Sequence, residues 1–196
     1  MYSRKSFAIV VAILGTLMFI TVVRADQVDS PQYQSWAKCK VGTTVNYDMQ
    51  MAGGPMQMSQ TVVYTLKDIA PDKVTIQIDS TMNMGGMSRP MPPQTVAYPA
   101  KVEKGQEYAP ANFTGTVKED GKETIDIAGK KYECRVFEFS GESSSAGRAG
   151  SPPLAATGKI WNSADIPGGM AKMQMDGKTA QMTISITTTM TSFTTK

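Results

Sequence analysis

Histidine is absent from this chain of 196 residues, and cysteine occurs only twice. Without imidazole there is no Ser–His or Cys–His dyad, no His-ligated zinc and no histidine proton shuttle. Charge is sparse as well, at 19% of residues, and Arg4, Lys5 and Arg24 are the only charges in residues 1–25. Setting those three aside leaves 17 basic residues against 17 acidic ones. A body so balanced offers no stripe of clustered Lys and Arg, which excludes a nucleic-acid partner. The apolar share of 41% is enough for one packed core and too little for several.

What is present begins with an address. Arg4 and Lys5 precede an almost unbroken apolar or small run from Phe7 to Val23, and Val23-Arg24-Ala25 follows with small residues at both ends. This pattern reads as a signal peptide over residues 1–25, removed on export, with the mature chain starting near Asp26. An uncleaved anchor is the alternative, since the run approaches the length that spans a bilayer. The expected location is therefore periplasmic or extracellular, with membrane contact only through the signal segment. In an oxidising compartment Cys39 and Cys134 have one internal pairing open to them. Such a bridge would stabilise by about 4–5 kcal/mol in the chain-entropy account. Two unrelated buried thiols are the competing reading.

Residues 26–196 read as a single, mostly β domain. Val45, Tyr47, Met49 and Met51 alternate with polar neighbours, and Ala52-Gly53-Gly54-Pro55 breaks the run. Met56, Met58, Val62, Tyr64 and Leu66 then share a parity, and so do Val74, Ile76, Ile78, Met82 and Met84. Further strands are expected at Thr95–Ala100, Phe113–Lys118, Glu123–Ile127, Tyr132–Ser140, Gly158–Asn162, Met170–Met175 and Gln181–Phe193. Turn chemistry marks Glu119-Asp120-Gly121, Ala128-Gly129-Lys130, Pro167-Gly168-Gly169 and Asp176-Gly177-Lys178. Only Gln32–Lys40 has helical character, and Gly141–Ala156, rich in Ser, Gly and Pro, reads as a flexible loop. Tight turns mean antiparallel pairing. About ten strands with one apolar face each predict a curved meander sheet or partial barrel.

Methionine is the conspicuous excess. Of 15 Met, Met1 and Met18 lie in the signal, and 11 of the other 13 gather at Met49, Met51, Met56 and Met58, at Met82, Met84, Met87 and Met91, and at Met170, Met173 and Met175. Shared parity with Val, Tyr and Ile accounts for many of these positions as plain core packing, because Met fills irregular gaps. A second reading makes Met49, Met51, Met56, Met58, Met82 and Met84 the lining of a concave face that holds a lipid or hydrophobic peptide. A third uses the soft thioethers of Met82, Met84 and Met87 as Cu(I) ligands.

Catalytic look-alikes fail on their partners. Ser35-Trp36-Ala37-Lys38 matches S-x-x-K, yet S-D-N and K-T-G are missing. Gly177-Lys178-Thr179 resembles the end of a phosphate loop, but the earlier glycine position holds Lys172.

The segments Ser35-Trp36-Ala37 through Val45, Gly121–Cys134, Lys159-Ile160-Trp161 and Asp165–Gly169 together resemble uncharacterised exported bacterial β-sheet proteins. More remotely the layout is similar to the half-barrel of periplasmic lipoprotein carriers of the LolA/LolB kind, in which a curved antiparallel sheet holds acyl chains. The first resemblance implies no activity, and the second concerns fold alone. The sequence thus predicts an exported binding or structural protein, not an enzyme, whose partner is a small apolar ligand or an envelope protein. No cofactor is expected on that reading, with copper as the alternative.

Overall fold

The structure, a computed structural model, describes residues 26–53, 56–110, 113–143, 154–178 and 183–196. The signal segment lies outside the described residues. A short strand β1 (Gln27–Asp29) leads into the helix α1 (Pro31–Ala37), which starts where the sequence provides a cap. Ser30 is extended and accepts from the Tyr33 N–H at 3.2 Å, and Pro31 occupies the first helical turn, where a missing N–H costs nothing. One helix residue, Trp36, is buried.

The alternating segments then become strands. β2 (Thr44–Gly53), β3 (Met56–Ile69) and β4 (Lys73–Met84) form an antiparallel meander. Two short strands, β5 (Met87–Pro90) and β6 (Gln94–Pro99), share the outer edge of β4, pairing with its second and first halves respectively. β7 (Lys101–Glu103) pairs back with β1, and the Lys101 ammonium donates to the Asp29 carboxylate. A second meander follows from β8 (Phe113–Ile127) through β9 (Lys130–Ser143), β10 (Leu154–Asn162) and β11 (Met170–Lys178) to β12 (Thr183–Thr194). β12 pairs with β2 and joins the two meanders into one sheet. The order runs from β5 through β4, β3, β2, β12, β11, β10 and β9 to β8, and the edges do not pair, so the sheet stays open.

Several expected boundaries move. Glu119-Asp120-Gly121 is no turn: β8 runs through it, with a register shift between Glu119 and Gly121. Gly121 has φ +125, a backbone that a side chain resists, so the extra residue is absorbed as a bulge within the strand. Asp176-Gly177-Lys178 likewise stays in β11, where a Cβ on Gly177 would come 2.3 Å from Leu154 Cδ2. The Ser/Gly/Pro stretch is shorter than its composition implied, because β9 continues through Ser143 and β10 starts at Leu154. Gly141 and Ala156 face one another across that pair and leave room for the Phe113 ring, which packs edge-on against Phe139 at 5.3 Å. The core of that loop, residues 144–153, lies outside the described residues.

The main core gathers Trp36 with Val45, Tyr47, Val62, Leu66, Val74 and Ile76 from the first meander and Val136, Trp161, Ile166 and Met190 from the second. α1 ties the halves together. Tyr33 Oη donates to Ala70 O at 3.0 Å in the β3–β4 turn, and Ser35 Oγ donates to Ile166 O at 2.9 Å in the β10–β11 turn. No helix among the described residues is long and apolar enough to cross a membrane.

Candidate ligand cavity

Strand register decides which side chains meet on the inner face. One cross-strand row reads Met173, Thr188, Met49, Gln60, Met82 and Arg89 from β11 to β5. The next row holds Met175, Ile186, Met51 and Met58, and Met84 faces Met87 beyond them. At the β11 and β12 end these rows are roofed by Gln32 and Trp36 of α1, by Tyr98 of β6, and by Gln106, Tyr108 and Ala109 of the segment before β8. Between floor and roof lies a cavity of about 540 Å³. Its floor carries Tyr47, Met49, Ile160, Met170, Met173, Met175, Ile186 and Thr188.

Among the described residues the lining contains no Asp, Glu, Lys or Arg. Its tyrosines are fixed and neutral. Tyr47 Oη donates to Met170 O at 3.1 Å, and the Tyr47 and Tyr64 rings meet edge to face with centroids 5.1 Å apart. Burial pushes the phenols of Tyr47, Tyr64 and Tyr98 above their ordinary value, because an ion there would lose its water. Tyr108 stacks on Phe137 at 3.7 Å and accepts from Arg135 Nη1 at 2.9 Å; Arg135 in turn holds Glu119 at 2.7 Å. That ion pair keeps the Glu119 carboxyl below its ordinary value and anchors the roof from outside the cavity.

One polar group in the floor has no such arrangement. Thr188 is 3% exposed, and its hydroxyl finds no hydrogen-bond partner among the described residues. An unpaired buried hydroxyl costs about 1–3 kcal/mol, so its presence in an apolar floor needs a reason. Thr43 carries the other such hydroxyl among the described residues, but it does not line the cavity.

The methionines proposed from sequence are distributed unevenly about this space. Met49 lines the cavity, and Met51 and Met58 face one another on the same side of the sheet, half-buried and next to it. Met56 pairs with Gly53 at the hairpin end. Met82 turns toward a separate shallow groove with Arg89, Pro90, Met91 and Pro92. Met84 and Met87 stand opposite one another at the β4–β5 turn, 45% and 70% exposed. The sequence reading left Met170, Met173 and Met175 out of the candidate lining, and with them Trp36, Tyr98, Tyr108 and Thr188. The Cys39–Cys134 bridge is a correction: both thiols are free. Each sulfur turns to a nearby carbonyl, Cys39 to Ser35 O in α1 at 3.5 Å and Cys134 to Tyr132 O of its own strand at 3.7 Å. No grouping of three or more His, Cys, Asp or Glu side chains able to hold a metal ion occurs among the described residues.

No known protein family matches this chain, and no curated protein does. Solved structures do. The chain is similar to a candidate lipoprotein from Parabacteroides distasonis at 10% identity and TM-score 0.47, covering 79% of this chain and 96% of that one. It is also similar to the hypothetical lipoprotein YmcC from Escherichia coli, at 11% identity and TM-score 0.32 over 83% of this chain and 88% of that one. A DUF1329 family protein from Desulfovibrio piger aligns at 7% identity and TM-score 0.25, over 85% and 94% of the two chains. At these values the cavity has to be read from its own residues.

A second depression on the sheet is lined by Lys118, Glu138, Lys159 and Asp176 among others, and Lys159 pairs there with Asp120 at 2.7 Å and Glu138 at 3.0 Å. The Lys159 pairs are exposed to solvent, where such ion pairs contribute little.

Proposed function

We propose that the protein is an exported, non-catalytic binding protein that holds the apolar part of a lipid in the cavity between its curved sheet and α1. The observation that carries this reading is the lining: a partly open cavity of about 540 Å³ whose floor is mostly methionine, tyrosine and isoleucine, with no charged side chain among the described residues. That volume lies within the ordinary range for small-molecule sites of about 300–1,000 Å³. Methionine suits a flexible chain, since its unbranched thioether repacks without strain. Export rests on the N-terminal pattern.

The test is extraction of the full-length protein, purified under native conditions from an envelope fraction, with mass spectrometry of the organic phase. Stoichiometric lipid in the wild type, lost in Met173→Glu, is the expected result. Absence of lipid, together with no uptake after incubation with phospholipid vesicles, would overturn the proposal. N-terminal sequencing of the same sample should read from near Asp26, and an intact Met1 would refute cleavage.

A further inference from the structure

A lipid held by its chain must still place its polar end, and a cationic groove lies beside the cavity. We infer, resting on the lipid-binding reading above, that the ligand is an amphiphile with a singly charged acidic head, a carboxylate or phosphodiester, and that this head lies in the groove against Lys38 and Lys122. The groove has a volume of about 330 Å³ and runs between α1 and the β8–β9 pair. It shares Tyr108 and Asn162 with the lining of the cavity. α1 serves both spaces: Gln32 and Trp36 line the cavity, whereas Gln34, Ser35 and Lys38 line the groove. Apart from its tyrosines and Asn162, the polar residues of the cavity are Gln32, Gln106, Ser143 and Thr188, all neutral. Gln106 Nε2 already donates to Gly115 O at 2.9 Å, and Thr188 Oγ1 has no accessible surface to offer. An ion drawn into the cavity would lose its water with no counter-charge to replace it. The head therefore stays outside, and Tyr108 and Asn162 mark where chain and head join.

The charges of the groove fix the sign and size of that head. Lys122 of β8 and Arg135 of β9 are direct cross-strand partners, and like charges so placed repel. Lys38, at the C-terminal cap of α1, brings a third cation to the same space. Glu133 is the carboxylate of the lining, and Glu119 approaches from beside Arg135. Glu119 is committed to Arg135 through two hydrogen bonds, 2.9 Å from Nε and 2.7 Å from Nη2, although it also feels Lys122. The remaining Arg135 Nη1 donates to Tyr108 Oη at 2.9 Å, so Arg135 is a positioning residue that holds the shared wall. Neither Lys38 nor Lys122 has an ion-pair partner among the described residues. Three cations against two carboxylates leave one positive charge, which a singly charged head neutralises.

The experiment uses the full chain and three probes: dodecanoate at neutral pH, where it is ionised; dodecanol, with the same chain and no charge; and acetate, with the charge and no chain. Affinities are measured by calorimetry at low ionic strength. Wild type should bind dodecanoate about fivefold more tightly than dodecanol, the factor that exposed ion pairs supply, and acetate far more weakly than either. The preference should fade at an ionic strength of about 1 M, where exposed charges are screened. Lys38→Gln combined with Lys122→Gln should bring the ratio to about one by weakening dodecanoate alone. Lys67→Gln, at an exposed position outside the groove lining, should leave the preference intact. Equal affinity of the wild type for acid and alcohol overturns the inference and leaves the lipid-binding reading standing. A preference unchanged in the folded double variant overturns it too, and so does acetate binding as tight as dodecanoate, which would assign the groove to a free anion. If the wild type binds neither long-chain probe, the lipid-binding reading and this inference fall together.

Discussion

Substituting Gly168 by alanine should destabilise the protein through two separable costs. Gly168 has φ +77, in the left-handed region, where a side chain costs about 1–2 kcal/mol. A Cβ there would also stand 2.5 Å from Trp36 Nε1, 2.8 Å from Cε2 and 3.0 Å from Cζ2. The indole cannot simply back away. Trp36 is 1% exposed, and its helix is held on both sides by the Ser35–Ile166 and Tyr33–Ala70 hydrogen bonds. Forcing a packed ring aside costs about 1–3 kcal/mol, so the total expected is about 2–5 kcal/mol. Gly129→Ala is the matched control, with φ +81 and nothing within 4 Å of the added carbon. It should show the backbone cost alone. Urea unfolding followed by tryptophan emission compares the two, and the gap between them measures the Trp36 contact. Ligand affinity should fall in the first variant only, since Gly168 and Trp36 both line the cavity. Equal losses of stability in the two variants would refute the claim that the β10–β11 turn is built around the indole.

Other outcomes follow from the same structure. The buried phenols of Tyr47, Tyr64 and Tyr98 titrate higher in the folded chain than in the unfolded one, so the unfolded state releases protons first as pH rises. Stability should therefore be insensitive to these groups below about pH 10 and fall as pH climbs beyond it, which urea midpoints alongside tyrosinate absorbance would test. Desolvation raises both thiols, Cys134 to about 11, so little thiolate is present near neutrality. Alkylation of the unreduced native protein should be slow at both sites and rapid once unfolded; a bridged species by intact mass would contradict the free thiols. Finally, Met82→Leu, Met84→Leu and Met87→Leu combined should melt like the wild type with and without Cu(I), at a cost under about 1.5 kcal/mol. A metal-dependent rise in melting temperature confined to the wild type would instead assign copper to the β4–β5 hairpin.

The alternating runs were legible because each strand of the first meander buries one face only, as Val45, Tyr47, Val62, Leu66, Val74 and Ile76 show. The helix was legible as the one stretch with helical character, Gln32–Lys40, although it begins one residue earlier and ends at Ala37. What escaped the sequence is the work of bulges and of tertiary cover. Met170 and Met173 are three residues apart, which strict alternation places on opposite faces of a strand. The register shift at Trp161/Asn162, which leaves Ala171 unopposed, brings both into the cavity. Period-two reasoning consequently favoured the regular pairs at Met82 and Met84, which the structure places toward the outer hairpin. Thr188 had no signal at all, being the middle one of three consecutive threonines, Thr187 to Thr189. Tyr98 and Tyr108 reach the cavity only because β6 and the segment before β8 fold back over the sheet, a long-range event that no local pattern records.

The seam between β2 and β12 has a kinetic side. Every other pairing in the large sheet joins strands that are close in sequence, whereas the Asn46–Ser192 hydrogen bond in this seam spans 146 residues. Loop closure on that scale is slow compared with hairpin formation, so each meander should assemble as its own foldon before the two dock. Docking is then the step that creates the cavity, because Met49 and Tyr64 come from one meander and Ile160 and Met173 from the other. A molecule held there bridges both foldons and slows their separation. Occupancy should accordingly lengthen the unfolding half-life while leaving the early folding phase, which precedes the cavity, at the same rate.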